Sequence, residues 1–258
     1  MSDNAGKSDS FVHLHVHTEY SMLDGAARVK PLIEAAVEQG MPAIGISDHG
    51  NNFGAFDFYK TAKAAGIKPV IGIEAYLSPG TPRQDRSRVR WGSGGEDDIS
   101  GGGAFTHMTM FAENTDGMYN LFRMSSKAWL DGFYFKPRMD RELLSRYADG
   151  LIATTGCPGG EIQTRLRMGN YREALRAASD YRDIFGAQNF FLEVMDHDIA
   201  IENRVKADLL KLGRELKLPL LVTNDLHYTF HEDAAAHAAL LCVQSGTTLA
   251  DPKRFKFD

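Results

Sequence analysis

Along most of the chain, short apolar runs alternate with amphipathic stretches whose apolar residues recur every three or four positions. The short runs read as strands at residues 11–17, 43–47, 68–77, 105–111, 151–155, 190–195 and 220–223. The amphipathic stretches read as helices at 29–39 (closed by Gly40), 53–65 (closed by Gly66), 117–130, 160–167, 171–185, 201–216 and from His231 onward. Such alternation predicts parallel strands joined by right-handed crossovers. So many strand–helix units favour a closed or nearly closed α/β barrel over an open sheet.

Segment 78–104 breaks the rhythm. It is rich in Gly, Ser, Pro, Asp and Arg, which predicts a mobile surface loop whose basic half, 83–90, is a solvated charge run. The first ten residues, MSDNAGKSDS, form a polar tail with no hydrophobic segment, unlike a signal peptide. That leaves 11–258 as one domain. The closing DPKRFKFD carries no stop signal, so the expectation is an N-terminal piece of a longer chain.

Composition narrows the class. The chain has 258 residues, 43% of them hydrophobic, enough for a substantial single-domain core. No apolar run approaches the ~20 residues of a membrane span. Cys157 and Cys242 are the only cysteines. They make no disulfide framework and suit a reducing, cytoplasmic setting. Cys157 sits in a Gly-Cys-Pro-Gly-Gly turn where a thiolate would be accessible; Cys242, in AALLCVQ, reads as a packing residue. The formal net charge of −5 argues against a surface that grips DNA alone. About three bound divalent cations would cancel nearly all of it, leaving any long basic channel outside this chain.

The chemistry begins at FVHLHVHTEY. His15 and His17 lie at i and i+2, so both point to one face with Cα atoms roughly 6.6 Å apart. His13 shares that face but lies roughly 13 Å below His17 and reads as a core residue. The other candidates are Asp24 in SMLDG, His49 in SDHGN, Glu74 in IGIEAY, His107 in FTHMTMF, Cys157, and Asp225 with His227 in TNDLHYT. They fall at or near the C-terminal ends of the expected strands, where parallel barrels collect their active sites. Each has an ordinary structural reading taken singly. Gathered on one rim without cations, they would leave polar groups unpaired at about 1–3 kcal/mol each. Imidazoles, carboxylates and a thiolate suit zinc, manganese or iron, and a set this large suits about three ions.

HLHVHTEYSMLDG, ISDHGN, IGIEAY, the isolated His107, TTGCPGG and TNDLHY together resemble the PHP (polymerase and histidinol phosphatase) family. Within it, FVHLHVHTEYSMLDG, GFYFKPRMD and DGLIATTGCPGGEI resemble the N-terminal PHP domains of bacterial replicative DNA polymerase III alpha subunits. The likeness runs from Phe11 to the C-terminus. It implies a distorted seven-stranded (β/α)7, TIM-like barrel holding three divalent metals on His15, His17, Asp24, His49, Glu74, His107, Cys157, Asp225 and His227. Asp24, His15 and Asp225 would bear most directly on catalysis. The implied activity is metal-dependent phosphodiester hydrolysis, as a proofreading 3′–5′ exonuclease. The implied partners are a DNA 3′ end, the remaining domains of a polymerase alpha subunit, and the sliding clamp with other replisome subunits; no membrane is involved. The alternatives are a non-catalytic, metal-stabilised scaffold, a phosphomonoesterase and a pyrophosphatase. The palm and fingers of a polymerase are absent, so no polymerisation is expected.

Other polar residues carry two readings each. Lys136 and Arg138 could contact phosphate or form structural ion pairs. His197, in EVMDHD, could touch substrate or sit in a surface turn. Asp48 could support His49 or cap a helix. His231 and His237 read as helical residues that need no function.

Overall fold

The computed structural model describes residues 11–90 and 101–254. The chain forms two compact units, one made of residues up to Ile71 with those from Asp225 onward, the other of Gly72–Asn224.

In the first unit, α1 (Val29–Glu38) turns Val29, Leu32, Ile33 and Ala36 inward at helical spacing. After β1 (Ala43–Ile46), α2 (Ala55–Ala64) buries Phe58 and Ala62 completely. Full burial of a side chain such as Phe58 or Ile33 contributes about 1.5–3 kcal/mol. β2 (Lys68–Leu77) begins here, pairing in parallel with β1 from Ala43–Lys68 to Ile46–Ile71. The strand expected at 11–17 is not regular: only isolated bridges join Val16 to Leu226 and Thr18 to Ala27. The pairing slips by one residue, since Gly45 N–H donates to His13 O but Ser47 N–H donates to Val16 O, and a side chain fills in. Val16 N–H donates to Ser47 Oγ at 2.8 Å, where a backbone carbonyl would otherwise accept. The segment is still held on both sides, by Gly45 N–H to His13 O and His17 N–H to Leu226 O, each 2.7 Å.

In the second unit, β2 continues into a curled sheet. Its other members are β3 (Thr106–Ala112), a hairpin of β4 (Phe133–Tyr134) and β5 (Lys136–Met139), β6 (Leu151–Thr154), β7 (Phe190–Val194) and β8 (Leu220–Val222). They lie in the order β4-β5-β2-β3-β6-β7-β8. The helices are α3 (Thr115–Asp131), α4 (Arg141–Tyr147), α5 (Glu161–Arg167), α6 (Tyr171–Phe185) and α7 (Ala200–Leu216). The class is α/β, as expected, but not every strand is parallel: β3 runs antiparallel to both β2 and β6. A parallel return needs a crossover element. Among the described residues the β2–β3 connection offers only one short turn of 3-10 helix, Gly101–Gly103. The β4–β5 hairpin, turning at Phe135 with φ 62°, and α4 were not anticipated.

The expected loop at 78–104 is anchored along its described flanks. Arg138, 1% exposed, donates to the carbonyls of Arg83 and Asp85 (2.7 Å each), Ala104 (3.0 Å) and Gly132 (3.3 Å). Arg83 is no solvated charge: it pairs with Asp131 (2.8 Å), Glu142 (2.9 Å) and Asp140 (3.2 Å), which hold its guanidinium well above its ordinary pKa against the opposing effect of burial. The mobility expected at 91–100 concerns residues outside those described. The chain ends in the first unit with α8 (Ala234–Ser245), which buries His237, Leu241 and Cys242. No helix among the described residues is long and apolar enough to cross a membrane.

The core of the second unit lies between the sheet and its helices. α6 buries Ala174, Ala177, Ala178, Tyr181 and Phe185, and α7 buries Val205, Leu209 and Leu212. Glu161 is embedded beside them at 2% exposure, accepting from Tyr181 Oη (2.7 Å), Arg165 (2.8 Å) and Arg141 (3.2 Å). Burial pushes its carboxyl up, but the two guanidinium groups and the tyrosine hydroxyl outweigh this and hold it below the glutamate range. Glu161→Gln should therefore cost about 1.5–3 kcal/mol in urea unfolding at neutral pH, because Arg141 and Arg165 lose their buried carboxylate and keep only the outer Asp180 and Glu173. A carboxyl held low adds stability above its unfolded pKa and loses it as pH falls through the folded value. The gap between the two proteins should narrow below about pH 4.3; a gap constant down to the acid transition would refute this role.

Candidate metal centre

In the first unit, the extended segment places His15 and His17, both 0% exposed, on one side. Their Nε2 atoms lie 3.3 and 3.1 Å from Asp225 Oδ1. The His17 ring is sandwiched, with His49 at 4.1 Å and His227 at 4.4 Å between ring centres. Asp24 Oδ2 lies 2.7 Å from His49 Nε2 and 3.8 Å from His227 Nε2. Asp225 and Leu23, which precedes Asp24, occupy the left-handed region at φ 48° and 66°, a strained backbone for side-chain-bearing residues.

Second partners orient the rings. His227 Nδ1 lies 2.7 Å from the Asp225 carbonyl, which can only accept, so Nδ1 carries the hydrogen. His17 Nδ1 lies 3.0 Å from Ser21 Oγ. The Ser21 proton goes to Asp48 Oδ1 at 2.7 Å, so Ser21 accepts from His17 and, at 3.1 Å, from His49 N–H. Asp48, 1% exposed, also accepts from Thr18 N–H and Oγ1–H. It supports the histidines and caps no helix. His237 Nε2 lies 2.8 Å from the Asp24 carbonyl, a brace that nothing in its helical pattern signals.

Burial raises the Asp24 carboxyl, yet hydrogen bonds from His227 and His49 take it well below the carboxylate range. Asp225 is likewise raised by burial and brought low by His15, His227 and His17. Burial lowers His227, but Asp225 and Asp24 leave it raised on balance. Asp48 is pushed up by burial despite its donors.

In the second unit, Glu74 on β2 and His107 on β3 share a face, since Glu74 is in register with Thr109, two residues from His107. Cys157 Sγ joins them, 3.1 Å from Glu74 Oε1 and 3.4 Å from His107 Nδ1, which is 3.0 Å from that same oxygen. The Cys157 thiol, expected to be accessible, is 7% exposed. Its turn folds against His107: a Cβ at Gly159 would lie 3.0 Å from His107 Nδ1.

These groups fit divalent cations. With its hydrogen on Nδ1 toward Ser21, His17 brings Nε2 to 3.1 Å from a carboxylate oxygen. A cation shared by the two satisfies both. His15, His17 and Asp225, and likewise His17, His49 and His227, offer ligand atoms within 4.8 Å of one another. His13, expected in the core, is half-buried against Phe11.

The suggested substrate contacts fare differently. The Arg138 guanidinium is committed to the four carbonyls described above. Lys136 Nζ sits 5.3 Å from the centre of the Tyr76 ring. Both ring nitrogens of His197 face acceptors, Glu202 Oε1 at 2.7 Å and the Asn224 carbonyl at 3.0 Å. His231 lies on an exposed 3-10 turn.

Histidine–carboxylate clusters of this kind, carried on an α/β fold, define a domain compatible with metal binding. The chain belongs to the PHP family, whose domain model matches residues 13–197. It is 59% identical to a DNA polymerase III subunit alpha of Saccharopolyspora erythraea over 97% of this chain and 22% of that protein. It is 56% identical to that of Mycobacterium tuberculosis over 100% of this chain and 22% of that protein. The chain thus spans about a fifth of the length of the curated relatives it matches. An amidohydrolase structure from Chromobacterium violaceum shares the fold at TM-score 0.54 and 14% identity, covering 87% of this chain and 89% of the other.

Two predictions come from these contacts. Asp48→Ala should weaken zinc binding about 10–100-fold in calorimetric titration, as loss of a ligand-orienting partner does; wild-type affinity would show that the Asp48–Ser21 relay orients nothing. Arg138→Lys cannot reach four carbonyls. It should expose residues 83–90 to faster limited proteolysis while leaving oligonucleotide affinity unchanged, and lost affinity would return Arg138 to the phosphate contacts.

Proposed function

We propose that this domain is a metal-dependent phosphodiesterase that removes nucleotides from the 3′ end of DNA, proofreading within a replicative polymerase alpha subunit. The observation that carries the reading is the convergence of His15, His17, His49 and His227 on Asp24 and Asp225, with His17 Nε2 lying 3.1 Å from a carboxylate oxygen. The names of the relatives, matched over nearly the whole chain, support the polymerase setting.

In this reading the six residues of that cluster, with Glu74, His107 and Cys157, hold about three ions of zinc, manganese or iron. Bound divalent ions supply a coordinated water of pKa near 7 and positive charge opposite phosphoryl oxygens. The protein's part is orientation and charge. Asp24 and Asp225, both held low, stay anionic throughout the neutral range. Ser21 and the Asp225 carbonyl take the Nδ1 hydrogens of His17 and His227 and leave their Nε2 atoms as donors to a cation. Lys136 is the cation of FKPRMD left for a phosphate once Arg138 has bound its carbonyls.

The test is a 5′-labelled single-stranded oligonucleotide incubated with metal-loaded protein beside Asp24→Asn. The expected result is a ladder shortening from the 3′ end, reduced by the substitution to the level seen with chelator. Turnover of small phosphate monoesters with the oligonucleotide intact would replace this reading with a phosphomonoesterase.

A further inference from the structure

Glu193 has no part in the reading above, yet it is a carboxylate on β7 with 1% exposure, held by two threonine hydroxyls. Its Oε2 accepts a short hydrogen bond from Thr154 Oγ1, and its Oε1 accepts one from Thr223 Oγ1 at 2.5 Å. All three residues are out of water, with Thr154 at 0% and Thr223 at 1% exposure. Burying a carboxylate is costly, and apolar residues of the same size would pack there more cheaply. What the carboxylate adds is direction, since its two oxygens take the hydroxyl protons of Thr154 and Thr223.

That direction leads to Cys157. With its proton committed to Glu193, Thr154 Oγ1 accepts from Gly156 N–H at 3.0 Å. Gln163 Nε2 holds the other side of the turn, donating to the Gly156 carbonyl at 2.6 Å and to Thr155 Oγ1 at 3.3 Å. Thr155 Oγ1 also accepts from the backbone N–H of Glu193 at 3.0 Å. Gly156 is therefore fixed through both its N–H and its C=O, at φ 78°, a region open to glycine without strain. The next residue is Cys157, whose Sγ meets Glu74 and His107. Cys157 and Glu193 also line one cavity of about 30 Å³, room for a water and no ligand, so Glu193 acts through the turn and not on a substrate.

We propose that Glu193 is a positioning residue: through Thr154 it locks the turn that brings the Cys157 thiolate to the metal centre. The inference rests on the reading of Cys157 as a metal donor.

The test is titration of the metal-free 258-residue protein with Co(II), following the near-ultraviolet thiolate-to-cobalt charge-transfer band. Loss of the band in Cys157→Ser identifies it. Thr154→Val keeps the shape and deletes the hydroxyl; Glu193→Gln keeps the shape and replaces one acceptor oxygen with an amide NH2, which can only donate. Each should move the cobalt midpoint about 10–100-fold higher, the range for loss of a ligand-orienting partner. Asp140→Asn, which alters a buried carboxylate that caps α4, should lower the melting temperature and leave the midpoint in place. If Glu193→Gln melts too early to titrate, Thr154→Val decides alone. Wild-type midpoints and band intensities in Thr154→Val and Glu193→Gln would overturn the positioning role. A wild-type protein with no such band would overturn the assignment of Cys157 and this inference with it, leaving the exonuclease to be judged by the oligonucleotide assay.

Discussion

Carboxylates kept out of water are the constraint on which the rest of this structure turns. Asp48, Glu74, Glu161 and Glu193 are each no more than 2% exposed. An ionised carboxylate in that position must be matched by donors or by charge. Three solutions occur. Glu161 takes two guanidinium groups and a phenol, and its carboxyl falls. Asp48 takes hydroxyls and an amide, and burial still pushes it up. Glu74 faces a thiol and an imidazole. The first solution closes a site, because fixed cations occupy the oxygens. The last leaves groups that can release protons and accept a metal ion in exchange. Which buried acids serve the fold and which serve chemistry is thus decided by the partner, not by the depth of burial.

The histidines follow the same logic. An imidazole gives a lone pair to a cation only if its other nitrogen has somewhere to place a hydrogen. His17 and His227 have such places, Ser21 Oγ and the Asp225 carbonyl. Both nitrogens of His197 lie against acceptors outside the candidate centre, Glu202 and the Asn224 carbonyl. Three histidines near strand ends look alike in the chain, and their second contacts separate them.

That difference explains what could be read beforehand. The strands and helices were visible because periods of two and of three to four residues report burial directly. β2 and α6 fall on their expected bounds. The His-x-His pair was visible because a two-residue spacing fixes a common face. Strand direction was not visible: the apolar run that forms β3 reads the same either way, and its antiparallel course depends on a connection without a crossover helix. The irregular course at 11–17 depends on a one-residue slip in pairing, filled by Ser47 Oγ, which no pattern at Val16 announces. Arg138 could be read as a phosphate contact or a structural ion-pair partner because an arginine's target lies in the fold around it, here four carbonyls. The Gly-rich turn around Cys157 suggested accessibility, but those glycines serve close approach to His107 and bury the thiol.

The cations that the structure consumes also bear on how a polyanion would be held. Arg83, Arg138, Arg141 and Arg165 are all engaged with carboxylates or carbonyls. The chain carries a formal net charge of −5. Its candidate centre adds local negative charge at Asp24 and Asp225, both held low. Without bound ions such a centre repels phosphate. Under the proposed function, then, the ions that supply the chemistry also supply attraction, beside Lys136, and substrate binding is thermodynamically linked to metal binding. Grip on DNA through lysine and arginine is recognised by a steep fall of affinity with salt, from release of counterions along the duplex. A centre that holds one terminal phosphate on buried cations displaces few counterions, so its affinity follows metal occupancy far more closely than ionic strength.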